Sequence, residues 1–349
     1  MNRGEKMKKF SVGVVGCGRI SGKHFEAIEK IDELELISVC DIKKDRADKW
    51  AEKYSINAYY DYSEMLDNEE LDIISICTPS GLHPEHGIMA ANKKIHVLSE
   101  KPMGTNLKSA DSLIKACDDN GVELFVVKQN RLNSTIRHLK NAIDKGRFGK
   151  IYFISCNVFW TRPQEYYDMA KWRGTWEFDG GAFLNQASHY VDLVHWFGGP
   201  IDSVMAFGGT LERKIETEDT GVAAIRFRNG AMGSINITML TYPKNLEGSI
   251  TVLGEKGSVK IGGIAVNEIV HWEFSDYDDD DKDIMVSNYQ TDSVYGFGHT
   301  GYYKNVIETL QKKRVTDVDG REGRKSLELI MAIYKSMREG KRISLPLGY

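Results

Sequence analysis

The chain has 349 residues, 41% hydrophobic and 28% charged, with a net charge of −4 and a pI near 6.2. That length suits two domains rather than one core, and the near-neutral charge removes the electrostatic reason to expect nucleic acid or an anionic membrane as a partner. No apolar run approaches the roughly 18 residues that span a bilayer, and MNRGEKMKKF runs straight into a strand-like stretch with no cleavage site, so a cytoplasmic protein is expected.

Phe10 to Val15 reads as a strand, and Gly16-Cys17-Gly18-Arg19-Ile20-Ser21-Gly22 follows it as a turn into a helix through Ile31. In that context Gly16 permits a tight turn. Gly18 lets the backbone beside Arg19 and Ile20 approach a pyrophosphate at the helix N-terminus. The third glycine of such a fingerprint falls on Ser21. A second strand, Leu34 to Cys40, ends at Asp41. A carboxylate there accepts hydrogen bonds from ribose hydroxyls and repels a 2′-phosphate, which favours NAD over NADP despite Lys43, Lys44 and Arg46 nearby. A helix cap is the plainer role for Asp41.

Leu71 to Cys77 leads into Thr78-Pro79-Ser80-Gly81-Leu82-His83, Ile95 to Ser99 into Glu100-Lys101-Pro102, and Val122 to Lys128 into Gln129. Strands alternating with helical stretches predict a parallel, doubly wound sheet whose ligands lie beyond the carboxyl ends of the strands. Thr78, Pro79, His83, Glu100, Lys101 and Gln129 therefore join the glycine turn and Asp41 as cofactor-binding candidates. His83 and His86 have no further partner spaced to complete a metal site, and no metal is expected. Five scattered cysteines read as buried thiols of a reducing compartment.

From Lys150 the texture changes. Short runs at Ile151–Phe159, Ser203–Gly208, Thr220–Arg228, Gly230–Met239, Gly248–Leu253 and Gly257–Ile261 predict a large, mostly antiparallel sheet. Tyr302–Lys312 and Arg324–Arg338 are helical by their 3.6 spacing, and the acidic run Tyr277–Asp283 reads as a solvated loop. The expected division is a dinucleotide domain over 8–128 and a substrate and oligomerisation domain over 129–349, sharing a cleft. Within the second, Gly180 to Leu193 (GGAFLNQASHYVDL) opens on a glycine pair and continues as a helix. It carries Asn185 and His189 at i,i+4, on one face. Just before it, Arg162, Lys171 and Arg173 lie among Phe159, Trp160, Tyr166, Tyr167, Trp172 and Trp176. Arginine with flat aromatics suits a carboxylate or a stacked base; a well-packed loop with solvated charges fits equally.

Four segments, GVVGCGRISGKH (13–24), CTPSGLH (77–83), SEKPMGTN (99–106) and GGAFLNQASHYVDL (180–193), together resemble the glucose-fructose oxidoreductase/inositol dehydrogenase family (Gfo/Idh/MocA) over nearly the whole length. The resemblance implies a Rossmann domain plus an open sheet used for oligomer contacts, hence a homodimer or homotetramer, and an NAD-dependent sugar or cyclitol dehydrogenase. It places the catalytic lysine on Lys101 and the catalytic histidine on His189. Many members carry an aspartate where this chain has Asn185, so a literal Asp–His relay does not transfer. Trp172-Arg173-Gly174-Thr175-Trp176, and Gly296-Phe297-Gly298-His299 before Tyr302-Tyr303, look most like the UDP-N-acetylglucosaminuronate 3-dehydrogenase branch.

That implies oxidation of the C3 hydroxyl of UDP-N-acetylglucosaminuronate or UDP-N-acetylglucosamine in surface polysaccharide precursor synthesis. Substrate contacts then fall on Lys101, Arg162, Trp172, Arg173, Asn185, Gln186 and His189. Other readings are an inositol or free-sugar dehydrogenase, a glycoside-cleaving relative, and a non-catalytic dinucleotide-binding regulator. Which of Lys101 and His189 takes the hydroxyl proton stays open at the sequence level.

Overall fold

The computed structural model describes residues 9–282, 284–291, 294 and 298–348. Residues 1–8 and 349, Asp283 of the acidic run, and Gly296 and Phe297 of the branch segment lie outside the described residues. The chain starts as a series of βα units: β1 (Phe10–Val15), α1 (Ser21–Glu29), β2 (Leu34–Cys40), α2 (Lys44–Tyr54), β3 (Asn57–Tyr59), α3 (Tyr62–Asn68), β4 (Ile73–Ile76), α4 (His83–Asn92), β5 (His96–Ser99), α5 (Leu107–Asn120) and β6 (Leu124–Val126). All pairs are parallel, in the order β3-β2-β1-β4-β5-β6. The central strands carry Val, Ile and Leu without alternation because both faces are covered; Val12, Ile73, Ile74, Val97 and Leu98 are fully buried. Strand order reverses between β1 and β4, the switch point at which such sheets take their ligands.

After β6 come α6 (Ser134–Asp144), β7 (Ile151–Phe159), α7 (Gln164–Asp168), α8 (Ser188–Gly198), β8 (Ile201–Gly209), β9 (Thr220–Phe227), β10 (Met232–Thr238), β11 (Glu247–Gly254), β12 (Gly257–Gly262), β13 (Glu268–Phe274), α9 (Gly298–Leu310), α10 (Gly320–Glu339) and β14 (Ile343–Ser344). The second sheet runs β13-β12-β11-β7-β10-β9-β8-β14. Among the described residues only β7 and β10 of this sheet pair in parallel, so it is mostly antiparallel as expected. Buried and exposed residues alternate along β9, the signature of a sheet with one covered face. Its open face carries Phe207 on β8 opposite Val222 on β9, at 67% and 45% exposure.

By contact the chain forms two compact units. One holds residues up to Gly104 with Lys108–Val127 and His299–Gly323. The other holds Thr105–Leu107, Lys128–Gly298 and the segment from Arg324 onward. A linear boundary at 128/129 does not express the return of 299–323 to the first unit.

The described residues of the acidic run are exposed or half-exposed, as a solvated loop requires, but several of its carboxylates are tied down. Lys145 Nζ lies 2.9 Å from Asp278 and 2.7 Å from Asp280, Arg147 forks onto Asp281, and Trp272 Nε1 donates to Asp281 at 2.6 Å. All five cysteines are buried and free. Among the described residues no helix is long and apolar enough to cross a membrane.

Candidate functional site

In the first unit, the turn after β1 is held by its backbone. Gly16 has φ +91°, and a Cβ there would stand 2.6 Å from the Cys77 carbonyl carbon and 2.7 Å from Thr78 N. No other residue fits without moving the segment after β4. Among the described residues nothing lies within 4 Å of a Cβ position at Gly18, which leaves its backbone open to a ligand. The Asp41 carboxylate accepts Cys17 N–H on one oxygen and Lys43 N–H on the other, both at 2.8 Å. Asp41 thus ties the glycine turn to the end of β2 while each oxygen keeps a second lone pair. Arg19 is exposed and Ile20 half-buried beside this turn. Thr78 Oγ1 lies 3.1 Å from His86 Nδ1, and Pro79 leads the short turn Ser80–Leu82. A backbone-lined turn with a carboxylate at the next strand end fits a dinucleotide such as NAD.

Two residues read from sequence as cofactor contacts are turned inward. Both ring nitrogens of buried His83 meet backbone carbonyls, Pro102 O at 2.7 Å and Thr78 O at 2.8 Å. Carbonyls only accept, so both bonds exist together only in the imidazolium, whereas burial pulls the ring toward the neutral form. Either way His83 clamps the segments around Thr78 and Pro102.

Glu100 is 3% exposed. Its Oε1 lies 3.1 Å from His24 Nε2 and 3.5 Å from His299 Nε2, and its Oε2 accepts Lys101 N–H at 3.0 Å. Behind His24, Tyr303 Oη stands 2.8 Å from Nδ1 and 2.7 Å from Ser75 Oγ. Burial opposes the Glu100 charge, but His24 and His299 outweigh it and hold the carboxyl well below its usual range. The three ligand atoms lie within 4.8 Å of one another, a spacing that also suits a metal ion. The Tyr303–Ser75 chain and the Lys101 amide extend the cluster on the His24 and Glu100 side, whereas neither ring nitrogen of His299 has a hydrogen-bond partner among the described residues. The cluster's practical consequence is that the backbone entering Lys101 is fixed from Glu100 and the backbone leaving it from His83. This support was invisible in the sequence, although His24, His299 and Tyr303 all lie in segments already singled out.

In the second unit the expected single helix from the glycine pair is two elements. Ala182–Gln186 is a π turn, and α8 starts only at Ser188 after Ala187. Asn185 and His189 therefore belong to different elements, and the one-face argument from a continuous 3.6 repeat does not hold. The glycine pair itself is required, because Gly180 and Gly181 have φ of +84° and +87°.

Asn185 Nδ2 donates to Asp179 Oδ1, and Asp179 Oδ2 accepts Gly174 N–H at 2.6 Å. A buried carboxylate thus stands behind the amide and links it to the Trp172–Gly174 loop. His189, 7% exposed, has its Nε2 3.0 Å from Gln129 Nε2. One turn on, Asp192 takes a bidentate fork from Arg131, at 2.7 and 2.8 Å, with Lys128 Nζ at 3.6 Å. Burial works against the Asp192 charge, but Arg131 and Lys128 outweigh it and hold the carboxyl well below its usual range.

The aromatic loop is ordered by the same chemistry. Arg162 Nε donates to Gln186 Oε1 and Gln186 Nε2 to Tyr166 Oη, both at 3.0 Å. The Arg173 guanidinium lies 4.2 Å from the Tyr166 ring centre and 4.8 Å from that of Trp172. Its Nε is buried with no acceptor among the described residues. Lys171 is exposed.

Beneath the glycine pair sits Glu218, which sequence reasoning missed. Its Oε1 accepts Phe183 N–H at 2.8 Å and faces Tyr334 Oη at 2.9 Å. Burial, against the Phe183 bond and with Asp179 adding to it, pushes the Glu218 carboxyl up from 4.5 to about 8. Between those values the folded protein holds a proton that the unfolded chain releases, so this group makes stability fall as pH rises toward 8 and changes nothing further above it. Glu218→Gln keeps the acceptor and removes the titration. Its urea midpoint is expected to fall less than the wild type's between pH 6 and 9; equal falls would show that Glu218 is already ionised at pH 6.

The family description "oxidoreductase family, NAD-binding Rossmann fold" matches residues 10–128, and "oxidoreductase family, C-terminal alpha/beta domain" matches 140–345. The chain is 55% identical to the WlbA dehydrogenase of Bordetella pertussis, crystallised with NADH and UDP-GlcNAcA, covering 98% of this chain and 99% of that one at TM-score 0.95. It is 53% identical to the Chromobacterium violaceum WlbA dehydrogenase in the same kind of complex, covering 99% and 98%, also at 0.95. Among curated proteins it is 27% identical to myo-inositol 2-dehydrogenase of Thermotoga maritima, over 96% of this chain and 98% of that protein. With both halves matched and the cofactor turn in place, the chain belongs to the Gfo/Idh/MocA oxidoreductase family, and its cofactor is NAD.

Proposed function

We propose that the protein oxidises the C3 hydroxyl of UDP-N-acetylglucosaminuronate, or less readily of UDP-N-acetylglucosamine, in the cytoplasm, as a step toward surface polysaccharide precursors. The observation that carries this reading is Arg173, a stacked guanidinium with a buried Nε that has no acceptor among the described residues. Such a group is suited to a planar carboxylate. The likeness to two dehydrogenases crystallised with UDP-GlcNAcA supports it.

NAD, when bound, supplies the hydride acceptor. Gly16, Gly18, Arg19 and Ile20 would hold its pyrophosphate, Asp41 its adenosine ribose, and Thr78, Pro79 and Lys101 its nicotinamide end, with His83 and Glu100 acting from behind. Gln129 gives its amide to His189 instead. His189 takes the hydroxyl proton at Nε2. The Lys101 ammonium, set by Glu100 and His83, favours the developing alkoxide. Asn185 and Gln186 orient sugar hydroxyls or the N-acetyl group, with Trp172, Arg162 and Arg173 taking the far end of the substrate.

Arg173→Met is expected to raise KM for UDP-N-acetylglucosaminuronate about tenfold or more, the loss of one charge-assisted contact, and to leave KM for UDP-N-acetylglucosamine nearly unchanged. Equal effects on both sugars contradict the acidic-sugar reading. The second reading, an inositol dehydrogenase, rests on the Thermotoga maritima relative. The exposed Phe207 and Val222 on the sheet face support a homodimer or homotetramer formed there; light scattering at the mass of one chain would remove that part.

A further inference from the structure

Gln129 is 1% exposed, and its amide is split in fate. Nε2 lies 3.0 Å from His189 Nε2, while Oε1 is buried with no hydrogen-bond partner among the described residues. An amide nitrogen only donates, so in this arrangement the His189 Nε2 accepts and carries no proton. The ring is unprotonated, as a base must be, but its one lone pair at Nε2 is taken by Gln129, so a substrate hydroxyl has to displace the amide before its proton can transfer. Once Nε2 gains a proton, two donors would face each other. A half-turn of the terminal torsion of Gln129, which is broad and nearly two-fold, brings Oε1 round to accept from Nε2–H. Among the described residues the rotation breaks no other bond of Oε1.

The formal charges near the ring are of both signs. Asp192 on the same helix is negative, but Arg131 and Lys128, from the segment after β6, are both positive and already committed to it. Among the described residues, these three sum to one net positive charge. Asn185 adds no charge, and Asp179 is bonded to the Asn185 amide and to Gly174. A neutral group able to bond either ring state is what the position requires.

We propose that Gln129 is a positioning residue for His189. It donates to Nε2 while the ring is bare and accepts from it once the ring is protonated, and so sets the pH at which this histidine titrates. The inference rests on His189 being the base of the proposed reaction. Gln129→Leu removes the bond in both states, and the bond to the charged ring is the stronger of the two. His189 should then titrate at lower pH. Gln129→Glu places a carboxylate against the ring, and titration should move to higher pH by about one unit or more.

The test reads His189 directly, by NMR of 13C-labelled histidine in the intact NAD-bound protein. The signal is assigned by its loss in His189→Asn, and kcat/KM pH profiles are measured alongside. The expected order of titration pH is Leu variant, wild type, Glu variant, with the acidic limb of kcat/KM following it. Identical titration in all three overturns the inference. NMR shifts in that order with an unmoved kinetic limb would keep the role of Gln129 and instead discard His189 as the base. A Gln129 with only a packing role would lower stability in both variants without opposite pH shifts.

Discussion

His189→Asn is expected to lower kcat by about 10²–10⁴-fold, the usual worth of a positioned general base, and Lys101→Met is expected to do the same through loss of alkoxide stabilisation, about 10²–10³-fold for one such group. The substitutions are chosen to hold shape. Asparagine keeps a hydrogen-bonding partner for Gln129, and methionine keeps most of the lysine stem on a backbone already held by Glu100 and His83. Cofactor affinity, read by fluorescence titration with NADH, should change little, because the glycine turn and Asp41 are untouched. Variants retaining more than a tenth of wild-type kcat contradict the roles given to these residues. If the two losses fail to add in the double variant, the pair acts as one unit.

The largest effect on stability is expected at Arg131. Asp192 is 2% exposed, and Arg131 supplies both arms of its fork. Arg131→Met leaves a buried carboxylate with Lys128, which is also bonded to Ser326 Oγ at 2.8 Å. Breaking a buried pair from one side costs about 3–5 kcal/mol, and the urea midpoint should fall accordingly.

The pH dependence has a definite sign. The folded Asp192 carboxyl titrates below its unfolded value, so its contribution is full above that value, near pH 4. It is lost as pH falls toward the folded value. The variant should therefore lose less stability than the wild type between pH 5 and pH 3. A variant with unchanged midpoint at pH 7 would mean that Lys128 and the α8 backbone suffice for Asp192.

The first sheet was legible because its rules are local. A strand, a glycine turn and a helix predict one another, and Gly16 proves to be pressed against Cys77 and Thr78 as such a turn demands. Asp41 ties the glycine turn to the end of β2 and does not cap α2, whose N-cap is Lys43 with no side-chain cap bond. The three-residue β3 and the edge strand β14 were too short to signal, and β13 carries exposed residues that blur its alternation.

Side-chain direction was what spacing failed to provide. Glu100 and His83 stand at strand and helix ends as expected, yet they turn inward to groups many residues away, His24 and His299 for one and the Pro102 carbonyl for the other. Reading Asn185 and His189 as one face assumed an α-helical register that the π turn breaks. What replaces that pairing, Asp179 behind Asn185, Gln129 on His189 and Glu218 under the glycines, depends on long-range packing that a single sequence does not display.

The reaction itself is read by incubating the purified protein with UDP-N-acetylglucosaminuronate and NAD, following NADH absorbance and the mass of the sugar together. NADH formation should be matched by loss of two hydrogens from the sugar, located at C3 by NMR, and absent in Lys101→Met and His189→Asn. An unchanged sugar in the presence of demonstrable NAD binding, with oxidation of an inositol or a free sugar instead, would contradict the proposed reaction.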